Sequence, residues 1–231
     1  MEIKLIQGNI FNSKAQTIVN TVNCVGVMGK GIALVFKLRY PKMFDIYRQH
    51  CKSKLINIGK LWLYRGEENA PWVLNFPTKF HWKYPSKMEY LEKGLAKFVD
   101  TYKEQNITSI AFPLLGTHNG GLDKTEVIKL MNSYLSKCEI PIEVYEYDPL
   151  AVDDLFDSFA SNWKSYNPEQ IKKATGIRMD RIEKITQLID SGNIHSMIAL
   201  INEPGIGIKT MEQCFQFVMS SRSSLQATLF D

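Results

Sequence analysis

The sequence predicts an α/β fold, in which helices cover both faces of a mixed sheet, followed by a small module built only of helices. Two observations carry the first part. β-branched, strand-like segments alternate with amphipathic helical ones as far as residue 150, and two glycine-bearing loops each join a strand-like to a helix-like segment. A third carries the second part, since helical periodicity alone continues beyond Pro168.

In chain order, EIKLIQ alternates and TIVNTV is β-branched and apolar, so both read as strands. GKGIALVFKLRY places Ile32, Val35, Phe36 and Tyr40 at helical spacing; Pro41 ends that helix and opens a second, MFDIYRQHCKS. LWLYR and WVLNF are short strands joined by the turn-forming GEENAP, the second closed by Pro77. SKMEYLEKGLAKFVDTYKEQ opens with a cap-like Ser86 and a glutamate three residues on, then turns Tyr90, Leu91, Leu95, Phe98 and Tyr102 inward. SIAFPLL is a strand, TEVIKLMNSYLSKC a helix and IEVYEY a last strand. The acidic DPLAVDDLFDSFASNW is helix-compatible, and DRIEKITQLIDSG, IHSMIALI and IKTMEQCFQFVMSS are helices. A chain of 231 residues holds one well-buried domain and an appendage, here 1–155 and 160–231.

With 45% hydrophobic and 23% charged residues, and no apolar stretch near the roughly 18 residues of a membrane span, the chain reads as an ordinary water-soluble one. MEIKLIQGNI enters strand-like alternation at once, without the positive leader and apolar core of an export signal. Cys24, Cys51, Cys138 and Cys214 have neither CxxC pairing nor disulfide-framework spacing, which fits reduced thiols in a cytoplasm. Four histidines without HxH or HExxH spacing give no metal site. A net charge of +4 does not mark a nucleic-acid binder, nor would it repel an acidic ligand.

Chemistry concentrates in the two loops and one lysine. In NCVGVMGKG (Asn23 to Gly31) the glycines permit close backbone approach, and the helix start offers unpaired N–H groups to an anion. The pattern is neither the Walker loop nor the dinucleotide fingerprint, so a diphosphate cradle and a tight turn stand as equal readings. PLLGTHNGGLDK repeats the strand–loop–helix arrangement: Gly116, Gly120 and Gly121 let amides wrap an anion, and Thr117 and Asn119 add donors. Asp123 reads first as the N-cap of the next helix. Two such loops at strand ends of one sheet make a dinucleotide-like ligand the default.

Lys79 follows WVLNFPT, where α/β proteins open their crevice. It is either a contact to phosphate or nucleic-acid backbone, or an amine for chemistry. Phe80, His81, Trp82 and Tyr84, interleaved with Lys79, Lys83 and Lys87, either pack on the sheet or stack the bases of a single strand. MIALINEPGIGIKTMEQCFQFV resembles a helix–hairpin–helix, whose turn, with Gly205, Gly207 and then Lys209, would grip a DNA phosphate, although the module's charges nearly balance.

Three motifs in order, GNIFNSKAQTIVNTVNCVGVMGKGIALVFKLRYPKMF, NFPTKFHW and PLLGTHNGGLD, resemble the macrodomain family of ADP-ribose-binding and ADP-ribose-hydrolysing domains. Within it they are similar to the DarG-like antitoxin branch and the terminal ADP-ribose protein glycohydrolase branch. The resemblance covers about residues 1–150 and implies a three-layer α/β/α macrodomain with a mixed central sheet. It implies ADP-ribose contacts at Asn9, where the family commonly carries an acid for the adenine amino group, and at Ile10. It further implies Asn23 on the distal ribose, Val27, Met28, Gly29, Lys30 and Gly31 along the diphosphate, and Thr78 beside the lysine. Gly116, Thr117, His118, Asn119, Gly120, Gly121 and Leu122 would close over the other side of the phosphates.

Lys79 matches the catalytic lysine of these branches and Asp123 the aspartate of the GLD motif; no cofactor and no metal are implied. An amine whose pKa is lowered by burial, or by Lys83 or Lys30, can capture an anomeric carbon while Asp123 moves the proton. His81, Trp82 and Lys83, with Gly205, Gly207 and Lys209, are the DNA-contact candidates. Three functions follow: a hydrolase that removes ADP-ribose from bases of single-stranded DNA as antitoxin to a DarT-like DNA ADP-ribosyltransferase, a non-catalytic ADP-ribose reader, and a glycohydrolase for ADP-ribosylated glutamate in proteins. Lys79 and the NTVN and NFPTK motifs favour the first, with the helical module engaging the toxin or DNA.

Overall fold

The computed structural model describes residues 3–66 and 70–227, with side chains as far as residue 220. Its sheet holds β1 Ile3–Gly8, β2 Thr17–Asn23, β3 Trp62–Tyr64, β4 Trp72–Lys79, β5 Ile110–Pro113 and β6 Ile142–Tyr147, in the order β1-β6-β5-β2-β4-β3. β3 is antiparallel to β4, and the other pairings are parallel, so five strands deliver their carboxyl ends to one rim. From β2 the chain proceeds to β4 on one side, and from β5 to β6 on the other. β2 and β5 are therefore a topological switch point, the place where open α/β sheets form a crevice. They pair at Thr17 with Ile110 and Ile18 with Ala111, and no further along their carboxyl halves.

Alternation along the strands assigns each face its helices. Val19, Leu74 and Phe76 point into a core closed by α3 (Met88–Thr101) and α4 (Lys124–Leu135), through Leu91, Leu95, Phe98, Val127 and Met131. Gly94 sets the approach of α3, because a Cβ there would lie 2.2 Å from the Phe76 ring. On the opposite face, α1 (Gly31–Arg39) and α2 (Pro41–Lys52) cover the sheet: the Phe11 and Phe36 rings meet at 4.9 Å, and Asn75 Nδ2 reaches Met43 Sδ. Asn20 and Asn75 are fully buried there and hydrogen-bond each other at 3.0 Å, which lets two amides occupy an otherwise apolar layer. The expected three-layer α/β/α arrangement around a mixed sheet is present.

Two boundaries differ from the sequence reading. β4 runs through Pro77 and Thr78 to Lys79 instead of closing at the proline. β3 pairs only as far as Asn75, so on that side no neighbouring strand needs the N–H that proline lacks. Ser86 does not cap α3, whose N-cap is Lys87 without a side-chain bond; Ser86 is buried and its amide donates to the Gly120 carbonyl at 2.9 Å. Of the turn GEENAP, residues 67–69 lie outside the described residues.

The chain divides into two compact units, Met1–Asp148 and Pro149–Asp231. The second holds α5 Phe156–Ser165, α6 Pro168–Thr175, α7 Met179–Asp190, α8 Met197–Asn202 and α9 Ile208–Ala227. Periodicity did not single out α6, yet its ends are signalled locally: Asn167 and Gln170 form a capping box, Pro168 begins the helix, and Gly176 closes it in the left-handed region. Phe159, Trp163, Ile182, Ile185, Met197, Leu200, Met211 and Phe215 form this unit's interior. Asp153, itself buried, accepts from the amides of Leu155, Phe156 and Met197 and so serves the starts of both α5 and α8. No helix among the described residues is long and apolar enough to cross a membrane, and all four cysteines are buried and free.

Candidate functional site

Loops after β2, β4 and β5 meet at the switch-point rim. The first begins at Asn23, whose Oδ1 accepts from the amides of Val25 at 3.0 Å and Val27 at 3.3 Å while its Nδ2 donates to the Val27 carbonyl. Tyr47, buried in α2, adds a hydroxyl bond to the Asn23 carbonyl at 2.6 Å; burial holds that phenol far above its ordinary pKa, so it stays a donor. Asn23 is thus engaged in bracing its own loop, and one of its two Nδ2 hydrogens donates to no acceptor among the described residues. Met28 is buried, whereas Val27, Gly29, Lys30 and Gly31 are exposed or partly so. Lys30 stands at the N-cap of α1 without any side-chain cap bond.

The second loop is built differently. Gly121 N–H donates to the Thr117 carbonyl at 2.7 Å and Leu122 N–H to that of Gly116 at 3.1 Å, while the Thr117 hydroxyl ties back to the Leu114 carbonyl. Gly120 is forced: a Cβ would lie 2.1 Å from the Gly116 carbonyl oxygen and 2.6 Å from Ser86 Oγ. His118 and Asn119 are exposed at the tip, and the His118 ring meets Tyr147 edge-on at 6.3 Å. The amides of His118, Asn119 and Gly120, like those of Gly29, Lys30 and Gly31, donate to no acceptor among the described residues, so both loops keep N–H groups available to an anion. The loops touch, since a Cβ on Gly31 would lie 2.6 Å from Asn119 Nδ2.

Lys79 ends β4 between them, and its Nζ donates to the Asn119 carbonyl at 2.5 Å. Burial lowers its pKa below the ordinary lysine value; of the two causes that the sequence offered, desolvation acts, and not Lys83 or Lys30. Thr78 is buried beside it. Asp123 is exposed and caps α4, Oδ1 accepting from Glu126 N–H at 3.0 Å, as its position in the sequence predicts. At the end of β1, Asn9 and Ile10 are both buried. Asn9 Oδ1 accepts from Phe11 N–H, while its Nδ2 has no partner among the described residues, a buried donor left open.

After Lys79 come the aromatic residues. His81 stacks on Trp82 at 5.6 Å, and Lys83 lies over the Trp82 ring at 5.3 Å. Gly205, Gly207 and Lys209 belong to the second unit, the glycines on the turn between α8 and α9 and Lys209 in the first turn of α9; all three are exposed, and Lys184 Nζ donates to the Pro204 carbonyl. Sequence reasoning missed Tyr47 and Ser86. The first offered no local signal, and the second displayed a misleading one.

The family model described as Macro domain matches residues 19–131. A DNA ADP-ribosyl glycohydrolase of Mycobacterium tuberculosis is 43% identical over 141 residues, covering 60% of this chain and 40% of that protein. A DNA ADP-ribosyl transferase-DNA ADP-ribosyl glycohydrolase fusion protein of Thermosipho africanus is 38% identical over 160 residues, 62% of this chain and 41% of that one. The chain thus spans about two fifths of the length of these curated relatives. Among solved structures, the macrodomain of Mycobacterium tuberculosis DarG matches with a TM-score of 0.60 and 41% identity, covering 62% of this chain and 97% of that one. Thermosipho africanus DarTG in complex with ADP-ribose matches with a TM-score of 0.59 and 39% identity, 63% of this chain and 42% of that one. With nearly the whole of a solved macrodomain matched at 41% identity, the chain belongs to the macrodomain family.

Proposed function

We propose that this chain is a DNA ADP-ribosyl glycohydrolase, removing ADP-ribose from a modified DNA base and acting in the cytoplasm as antitoxin to a DarT-like transferase. The observation that carries it is Lys79: an amine with a lowered pKa, set between two loops whose free amides suit a diphosphate. The neutral amine attacks C1″ of the distal ribose, the bond from C1″ to the base nitrogen breaks, and the base takes up a proton. Water then hydrolyses the lysine adduct and releases ADP-ribose. Asp123 Oδ1 is held by the helix cap, so proton transfer falls to Oδ2. Asn9, with its open Nδ2, and Ile10 take the adenine end. Asn23 uses its remaining Nδ2 hydrogen on the ribose. Val27 to Gly31 and Gly116 to Leu122 flank the phosphates, with Thr78 beneath Lys79. Residues 1–155 carry this activity, and 160–231 form a separate module whose hairpin at Gly205, Gly207 and Lys209 meets DNA or the toxin.

One observation favours a non-catalytic reader instead: Lys79 Nζ is already engaged by the Asn119 carbonyl and could serve to lock the loops. Single-stranded oligonucleotides carrying ADP-ribose on thymidine or on guanosine separate the readings. The hydrolase releases ADP-ribose from one of them, and Lys79→Ala lowers that rate by about a hundredfold or more while ADP-ribose still binds. Release should rise with pH, as the amine loses its proton, through a pKa below the ordinary 10.5. Tight binding without release from either substrate would establish the reader.

A further inference from the structure

Phe80, Trp82 and Tyr84 are 55%, 48% and 65% exposed, a dense display of rings for one short connection. The structure divides them. His81 lies between two of the rings, stacked on Trp82 at 5.6 Å and tilted against Tyr84 at 5.6 Å, and of the three only Phe80 and Tyr84 line, with Pro85, Lys87 and Tyr90, a groove of about 310 Å³. That volume lies at the small end of ligand clefts, about 300–1,000 Å³, and suits one nucleobase better than a dinucleotide. The groove is anchored at both ends to the site: Cys24 N–H donates to the Phe80 carbonyl at 3.1 Å, and Ser86 N–H to that of Gly120 at 2.9 Å. Phe80 directly follows Lys79.

Charge complements this geometry. Residues 70–88 contain no Asp or Glu, and Lys79, Lys83 and Lys87 recur there every four residues. Lys87 lies over the Tyr90 ring at 5.6 Å, and neither Lys83 nor Lys87 forms an ion pair among the described residues. A groove lined by three rings and Lys87, with Lys83 one residue before Tyr84 in the chain, matches a base and its phosphodiester backbone.

We propose that this groove is a subsite for an unmodified base of single-stranded DNA next to the ADP-ribosylated nucleotide. The proposal rests on the DNA-directed reading above and adds a strand-holding element to it. Its rings are Phe80, Tyr84 and Tyr90; of the four aromatic residues that the sequence offered for stacking, Phe80 and Tyr84 line it, His81 backs Tyr84, and Trp82 lies outside the lining.

The test is fluorescence anisotropy of the full chain with a labelled octamer of thymidylate and with an abasic octamer of equal charge. The expected result is about tenfold or more tighter binding of the octamer with bases, a preference lost in Tyr84→Ala while ADP-ribose binding is unchanged. Should Tyr84→Ala also lose ADP-ribose binding, and so its fold, Phe80→Leu decides, since it keeps apolar bulk without a ring. Lys83→Gln and Lys87→Gln should each lower the salt slope of octamer binding by about 0.7. Equal affinity for the abasic octamer, a preference retained in both ring variants, or a dimer that Tyr84→Ala dissociates would overturn the proposal. Hydrolysis is not read in this experiment. A failed base preference therefore leaves the glycohydrolase reading intact, and a failed glycohydrolase assay leaves the base preference measurable.

Discussion

The two loops at the crevice expose similar rows of amides but hold them by opposite means. In the loop after β2 side chains do most of the work: Asn23, itself held by Tyr47, fastens Val25 and Val27, and Gly29 has room, since a Cβ there would meet Val27 Cγ1 no closer than 3.8 Å, although Gly31 abuts Asn119. In the loop after β5 the backbone bonds to itself and steric closeness fixes it, as the 2.1 Å between a Cβ on Gly120 and the Gly116 oxygen attests. At Asn23 one loop depends on a hydrogen-bonding side chain; at Gly120 the other depends on the absence of one. A rigid anion cradle can thus be reached by either route, and each route fails to a different substitution.

The largest effect should come from Gly120→Ala. Its methyl must displace the Gly116 carbonyl or Ser86, costing about 3 kcal/mol in urea unfolding and weakening ADP-ribose binding by calorimetry. Unchanged affinity would break the steric account of that loop. Asn23→Ala comes next, at about 1–3 kcal/mol, because two amides lose their buried acceptor; unlike Gly120→Ala, it should be partly rescued by Asn23→Asp, which retains an acceptor oxygen. Gly29→Ala should fall within about 0.5 kcal/mol of the parent. If ADP-ribose affinity nonetheless drops, Gly29 is kept for close approach of the ligand rather than for the fold, which sharpens the contrast between the loops.

What could be read in the sequence was what is decided locally. The amphipathic faces of α2 and α3, the strand–loop–helix joints and Asp123 as a cap all follow from short-range pattern. What escaped was decided by distant partners. Ser86 and Glu89 spelled a capping box, yet Ser86 is drawn to Gly120. Pro77 spelled an end, yet its neighbour β3 stops first. The bracing of Asn23 by Tyr47 spans 24 residues and had no local sign. Six-residue α8 and the α6 capping box show the converse, since both starts carry a local cap, Ser196 and Asn167.

Asp153 has a consequence for how the chain is made. Its carboxylate is shared between amides directly after it and the amide of Met197, 44 residues later. During synthesis from the N-terminus the first two donors emerge almost with it, and the third follows seconds later, at about 5–20 residues per second. Until Met197 has emerged, Asp153 can support the start of α5 but lacks the amide through which it also joins the start of α8. The helical unit is therefore expected to close late and in one step, and ribosome-stalled chains ending before residue 197 should expose it to protease while the preceding sheet is already protected.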